Sequence, residues 1–181
     1  ATCVKTLPDN KIMIAGYYSS PAGNQPFAIR LLPNGEIDEG YAENGVYYDD
    51  MIGMRVNDIG LYGDEDSYGI VLAGSDVTGY PQMIMVDPHG YLEADFNATG
   101  ILKYEAHEGY FSDIIIDNEN NNLYACIFLS GNMGAIAKYN LPGGSPDILF
   151  ADGGIVSTES LAALELTIHG IVLEKDSGVL A

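Results

Sequence analysis

Tryptophan is absent from this 181-residue chain, cysteine occurs twice, and lysine and arginine together number seven. Those few cations stand against 26 aspartates and glutamates, for a formal charge of -19. A polyanion gains nothing from displacing the counterions of phosphates, so nucleic acid and anionic membrane surfaces are excluded as partners. No apolar run approaches the roughly 18 residues of a spanning helix, so no membrane insertion is expected. Cys3 and Cys126 make no C-x-x-C pair, which removes a thioredoxin-like or zinc reading. They read as small buried residues, with one long-range disulfide as the alternative. Also missing are G-x-S-x-G, H-E-x-x-H, G-x-x-x-x-G-K-[ST] and G-x-G-x-x-G, so no familiar catalytic motif is present.

What is there is apolar, glycine-rich and tyrosine-rich. The hydrophobic fraction of 47% supplies a core, for one large domain or two small ones. The 22 glycines and 13 tyrosines suit short strands joined by tight turns. The opening Ala1-Thr2-Cys3 has the small residues that signal-peptide cleavage often leaves, which suits a secreted protein.

The chain also repeats itself. The turn glycines Gly35, Gly90 and Gly144 recur at steps of 55 and 54. The aromatics Tyr41, Phe96 and Phe150 keep those steps, as do Gly45, Gly100 and Gly154. Upstream lies a second block, Ile12-Met13-Ile14-Ala15-Gly16, then Ile70-Val71-Leu72-Ala73-Gly74, then Leu123-Tyr124-Ala125-Cys126-Ile127. Its alanines Ala15, Ala73 and Ala125 step by 58 and 52. A fourth copy of the opening runs from Leu164 to Ala181. Each unit reads as strand, Asp/Asn turn, strand, loop, strand, Asn-Gly-type turn (Asn34-Gly35, His89-Gly90, Gly143-Gly144) and a short last strand. Four short strands in about 55 residues is the pattern of a propeller blade. The expected fold is therefore all-β, built of β-propeller-like blades, three full units plus part of a fourth. The units span 1–56, 57–110, 111–160 and 161–181. A closed propeller needs about four to eight blades, so this is an incomplete ring. Self-association is the expected remedy for its open ends.

These residues resemble the delta-60 repeat family, whose units run Asp-Gly-Lys-Ile, apolar-apolar-Ala-Gly, Phe-Ala-Leu-x-Arg-Tyr-x-x-Asp-Gly-x-Leu-Asp-x-x-Phe-Gly-x-x-Gly. The first unit carries Asp9-Asn10-Lys11-Ile12, Ala15-Gly16, Phe27-Ala28-Ile29-Arg30 and Asn34-Gly35-Glu36-Ile37-Asp38 in those places. The second keeps Ala73-Gly74, Pro88-His89-Gly90 and Phe96 without a basic residue at the Arg30 position; the third has Lys138 one place off it. The resemblance implies a secreted or cell-surface bacterial protein with propeller-like repeats and no established activity.

Chemistry is sparse. The histidines His89, His107 and His169 fall at three different places in the repeat, which argues against a metal triad. Asp64-Glu65-Asp66 and Asp117-Asn118-Glu119 offer oxygen ligands at hairpin tips, and Asp64, Asp66, Asp117 and Glu119 are the candidates for calcium, against a solvated-tip reading. Tyr17-Tyr18 and Tyr47-Tyr48 are the candidate binding residues, since strand alternation sends one of each pair outward to stack on a glycan or grip a protein. Blade packing is the structural reading of the same four. Arg30 is expected to pair with a turn acid such as Asp38, and Asn97-Ala98-Thr99 is a formal glycosylation sequon. The sequence supports a non-enzymatic secreted or surface β-repeat module without cofactor, structural or binding protein or glycan, within a larger protein or assembly. The alternatives are a carboxylate-based hydrolase or lyase domain, with or without calcium, and a subunit of an extracellular fibre.

Overall fold

A computed structural model describes residues 1–64, 67–131, 133–158, 168, 170–174 and 178–180. They are all β apart from a short 3-10 turn at Phe96–Ala98. Strands β1 (Cys3–Thr6), β2 (Ile12–Ser20), β3 (Gly23–Leu31) and β4 (Val46–Tyr48) form one antiparallel sheet in chain order. Strands β5 (Met54–Asp64), β6 (Ser67–Asp76), β7 (Pro81–Val86) and β8 (Ile101–Lys103) form the second in the same order. The third holds β9 (Gly109–Asp117), β10 (Asn122–Leu129) and β11 (Met133–Asn140), with β12 (Ser145–Pro146) and β13 (Ile155–Ser157) both on the free edge of β11. A hairpin of β14 (Val172–Glu174) and β15 (Gly178–Leu180) begins a fourth. The expected start of that unit at Leu164–Thr167 and its end at Ala181 lie outside the described residues.

The sheets stack as blades because each strand alternates its side chains between two neighbours. On β6, Ile70 and Leu72 join a core shared with the first sheet, while Val71 and Ala73 join one shared with the third. On β10, Leu123, Ala125 and Ile127 face the second sheet, and Tyr124 and Cys126 pack with Ile168, Ile171 and Leu173 of the fourth unit. A strand buried on both faces must be apolar throughout, which is why Ile70-Val71-Leu72-Ala73 has no polar residue. Burying one such leucine contributes about 2 kcal/mol.

The three copies share one backbone hydrogen-bond network around their turns. Arg30, Met85 and Lys138 each donate their N–H to Gly45, Gly100 and Gly154 respectively. Their carbonyls accept from Asp38, Glu93 and Asp147. The carbonyls of those three accept in turn from Tyr41, Phe96 and Phe150, whose own carbonyls close on the N–H groups of the same three glycines. Two sequence alignments are corrected by this network. Lys138 sits at the Arg30 position, not one place off, because the turn leading to Gly144 is one residue longer than those leading to Gly35 and Gly90. The partner of Ala15 and Ala73 in the third unit is Cys126, not Ala125. Cys126 pairs with Asp113 as Ala73 pairs with Asp58 and Ala15 with Cys3. Ala125 belongs to the opposite face.

Candidate binding groove and the junction that shapes it

Neighbouring units are joined in two places. At the turns, the Ala42 N–H donates to the His89 carbonyl at 2.8 Å, and its counterpart Asn97 donates to Gly143 at 3.0 Å. This stitch needs glycine beside it: a Cβ on Gly90 would lie 2.3 Å from the Cβ of Ala42, and one on Gly144 would lie 2.9 Å from the Phe96 ring. At the first strands, an Asp58 carboxyl oxygen accepts the Ile114 N–H at 3.0 Å, and Asp113 accepts the Ile171 N–H at 2.8 Å. The first unit has Cys3 at this position, and Thr2 there donates its hydroxyl to the Val56 carbonyl at 2.8 Å.

The Asp113 carboxyl is also a neighbour of Asp58. Burial, reinforced by the neighbouring Asp113 carboxyl, pushes Asp58 up to about 6. This pair tethers one unit to the next.

The first junction opens outward into a groove of about 620 Å³, lined by Glu43, Val46, Tyr47, Tyr48, Asp49, Tyr91 and Leu92, with Ala42 and Gly90 at the stitch. Tyr48 and Tyr91 are 46% and 67% exposed, enough to stack on a ligand. The Tyr48 hydroxyl donates to Glu43 Oε2 at 3.0 Å, which fixes its ring and raises its ionisation above the ordinary phenol value. An Asp49 carboxyl oxygen accepts the N–H groups of Met51 at 2.8 Å and Ile52 at 3.1 Å, anchoring the loop after β4. Tyr47 turns inward beside Tyr41; both are buried, burial raises both, and neither hydroxyl finds a partner among the described residues.

The groove residues are departures from the repeat. Tyr48 has counterparts Lys103 and Ser157; Tyr91 has Glu36 and Ser145. The fold is made equally well without these rings, so folding does not account for them. The sequence reading singled out Tyr47 and Tyr48, and did not count Tyr91, Glu43 or Asp49 as binding residues. An unrepeated aromatic at a repeated position was the available signal for Tyr91.

The remaining candidates are placed as follows. Tyr18 is partly exposed on the outer face of the first sheet and donates its hydroxyl to Asp50; Tyr17 lies beneath Arg55, 5.9 Å from ring centroid to guanidinium carbon. Neither lines the groove. Among the turn residues, Asn34 and Gly35 lie on the side of the first unit away from the second, His89 and Gly90 form the first stitch, and Gly143 and Gly144 the second.

The two acidic hairpin tips are brought together, but by an amide. Asn118 accepts the Gly63 N–H at 3.1 Å and donates to the Leu61 carbonyl at 3.1 Å, beside Asp64 and Glu119. The Asp117 carboxylate takes both the backbone and side-chain N–H of Asn120. Asp66 lies outside the described residues, as does His169. Among the described residues no three His, Cys, Asp or Glu side chains converge as a metal site would require. Cys3 and Cys126 are free thiols, the second fully buried. Arg30 pairs with Asp38 at 2.8 Å, as its position led one to expect. No protein-family model, no curated protein and no solved structure matches the chain.

Proposed function

We propose that this chain is a non-enzymatic, secreted or cell-surface β-repeat module whose first junction binds an uncharged glycan. The observation that carries the reading is the pair of exposed, unrepeated tyrosines, Tyr48 and Tyr91, lining one groove together with Glu43 and Asp49. Flat aromatic faces suit the C–H faces of a sugar ring, and carboxylates accept its hydroxyls. No cation lines the groove and the chain carries -19, so an anionic glycan is disfavoured.

The test uses the chain's own optics. With no tryptophan, its ultraviolet emission comes from its 13 tyrosines. Titration with neutral oligosaccharides is expected to change that emission saturably. Tyr91→Ala is expected to weaken binding at least tenfold with unchanged circular dichroism. Equal binding by Tyr91→Ala and the wild type would remove the groove from the account. Saturable binding of a basic peptide, with none of any oligosaccharide, would replace the glycan with a protein partner.

A further inference from the structure

The outer face of the first sheet bears an apolar row that the repeat itself identifies. Val4, Ile14, Ile29 and Val46 stand side by side across β1, β2, β3 and β4. The same register in the second sheet is Ile59, Leu72, Ile84 and Ile101. In the third it is Ile114, Ala125, Ala137 and Ile155. The second row is seated on the first sheet, with Ile59, Leu72 and Ile84 fully buried; the third is seated on the second sheet. Of the first row, Val4 is 61% exposed, and none of the four belongs to any of the three apolar cores.

Two further marks of a junction are present here and unused. The Asn34 carbonyl, counterpart of His89 and Gly143, receives no backbone N–H from a neighbouring unit among the described residues. Gly35 has nothing within 4 Å of its Cβ position, where Gly90 and Gly144 are crowded by the preceding unit. An apolar row, a waiting carbonyl and an open glycine are the receiving half of the junction made twice elsewhere in the chain.

We propose that this face receives a second copy of the chain, head to tail. The occupant must present the opposite half of the same junction, which is the face a unit turns toward its successor. In the fourth unit Ile171 and Leu173 pack back onto the third sheet, so Val172 between them points the other way, and it is 58% exposed. The hairpin bearing Val172 corresponds to β1 and β2, so it seats on Val4 and Ile14 at that end of the next copy's row and leaves Ile29, Val46 and the Asn34 turn outside the contact. The contact is heterologous, so it closes a ring of copies or extends into a fibre according to the rotation per copy. Removing apolar surface from water drives it. Unlike-charge attraction does not, and a chain this acidic associates more strongly as salt rises.

Sedimentation of the full chain from 1 to 200 µM is the test, since the proposal requires association that grows with concentration. Ile14→Asp and Val172→Asp change opposite halves of one contact, and both side chains lie away from the cores between sheets. Each alone is expected to sediment as a monomer, with the apparent dissociation constant raised at least tenfold and circular dichroism unchanged. Mixed in equal amounts they are expected to form a 1:1 dimer, because each retains the half the other lacks. A wild type that stays monomeric throughout would overturn the proposal. So would a Val172→Asp variant that associates as the wild type does, since the face would then pair with itself. Val46 belongs both to this row and to the lining of the glycan groove, whereas Tyr91 lies only in the groove, so Tyr91→Ala tests the groove without touching the self-association.

Discussion

Leu72 and Ile14 occupy the same place in successive copies of one blade, between the same neighbours in the same register, yet Leu72 is fully buried and Ile14 is not. The difference lies in what stands opposite, not in the residue or its strand. A blade of this kind is apolar on both sides because its place in an array requires it. Its stability is therefore shared between its own hydrogen bonds and its neighbours, as in other arrays of nearest-neighbour units. The first sheet has one such neighbour and the second has two.

Truncation should separate the two positions. Leu72→Ala opens a cavity between packed sheets and is expected to cost about 3 kcal/mol. Ile14→Ala, measured under dilute conditions where copies do not associate, should cost about 1 kcal/mol or less, because little packing is lost on an uncovered face. Urea denaturation of the two variants side by side checks this. Equal losses would mean that the outer face is already covered, and the contrast would vanish.

The turn glycines make a finer version of the same comparison. Gly35 and Gly90 both have φ near +90°, so alanine strains either backbone by about 1 kcal/mol. Only at Gly90 does the new methyl also collide with a neighbouring unit, at Ala42. Gly90→Ala is therefore expected to cost about 1–3 kcal/mol more than Gly35→Ala, the usual range for overpacking. A difference near zero would show that the turns slide apart easily, and the stitch would then contribute little.

Much of this was legible in the sequence, for a physical reason. Turn glycines and paired apolar strands are dictated locally, by positive φ and by two-sided burial, so they recur wherever the unit recurs. The one-residue errors came from features that only pairing reveals. Ala125 matches Ala15 and Ala73 by residue type, yet Cys126, opposite Asp113, holds their place in the sheet. The longer third turn displaced Lys138 in the alignment but not in space. The recurrence of Asp58 and Asp113, with Cys3 in the same place 55 residues earlier, was in plain view but carries no meaning until the next unit's N–H is seen to land on the carboxylate. The groove was half legible, since Tyr47 and Tyr48 are neighbours in sequence while Tyr91 comes from another unit.

The carboxylate tether gives the second junction a pH dependence that the first, with Cys3, lacks. The Asp58 value is raised on folding to about 6, so the folded chain holds a proton that the unfolded chain releases near 4. The stability this contributes is fully present below pH 4 and is lost as pH rises through 6. Over that window the loss is expected to be about 1–2 kcal/mol after allowance for partial solvent screening. Asp58→Asn removes the titration and should flatten the stability profile between pH 4 and 7. Melting temperatures across that range provide the measurement, and an unchanged slope in the variant would place the dependence elsewhere.

The smallest effect compares the copies through a residue they do not share. Arg30 holds Asp38 at 2.8 Å, reaches the Pro88 carbonyl of the next unit at 3.3 Å and lies over the Tyr41 ring at 4.5 Å. Lys138 repeats the ion pair, with Asp147 at 2.7 Å, whereas the second unit has buried Met85 and no pair. A blade can thus be closed by a cation or by a thioether, and Arg30→Met asks how much the choice matters. Burial works to raise Asp38, but Arg30 and Lys11 outweigh it and hold the carboxyl below its usual range. Such a group contributes stability above the ordinary carboxylate value and loses it as pH falls through its lowered folded value. Lys11 remains 3.4 Å from Asp38 in the variant, so the expected loss at neutral pH is only about 1 kcal/mol, with a shallower acid limb below pH 4. A loss several times larger would mean that the first blade, uncovered on one side, depends on its ion pair in a way the doubly covered second blade does not.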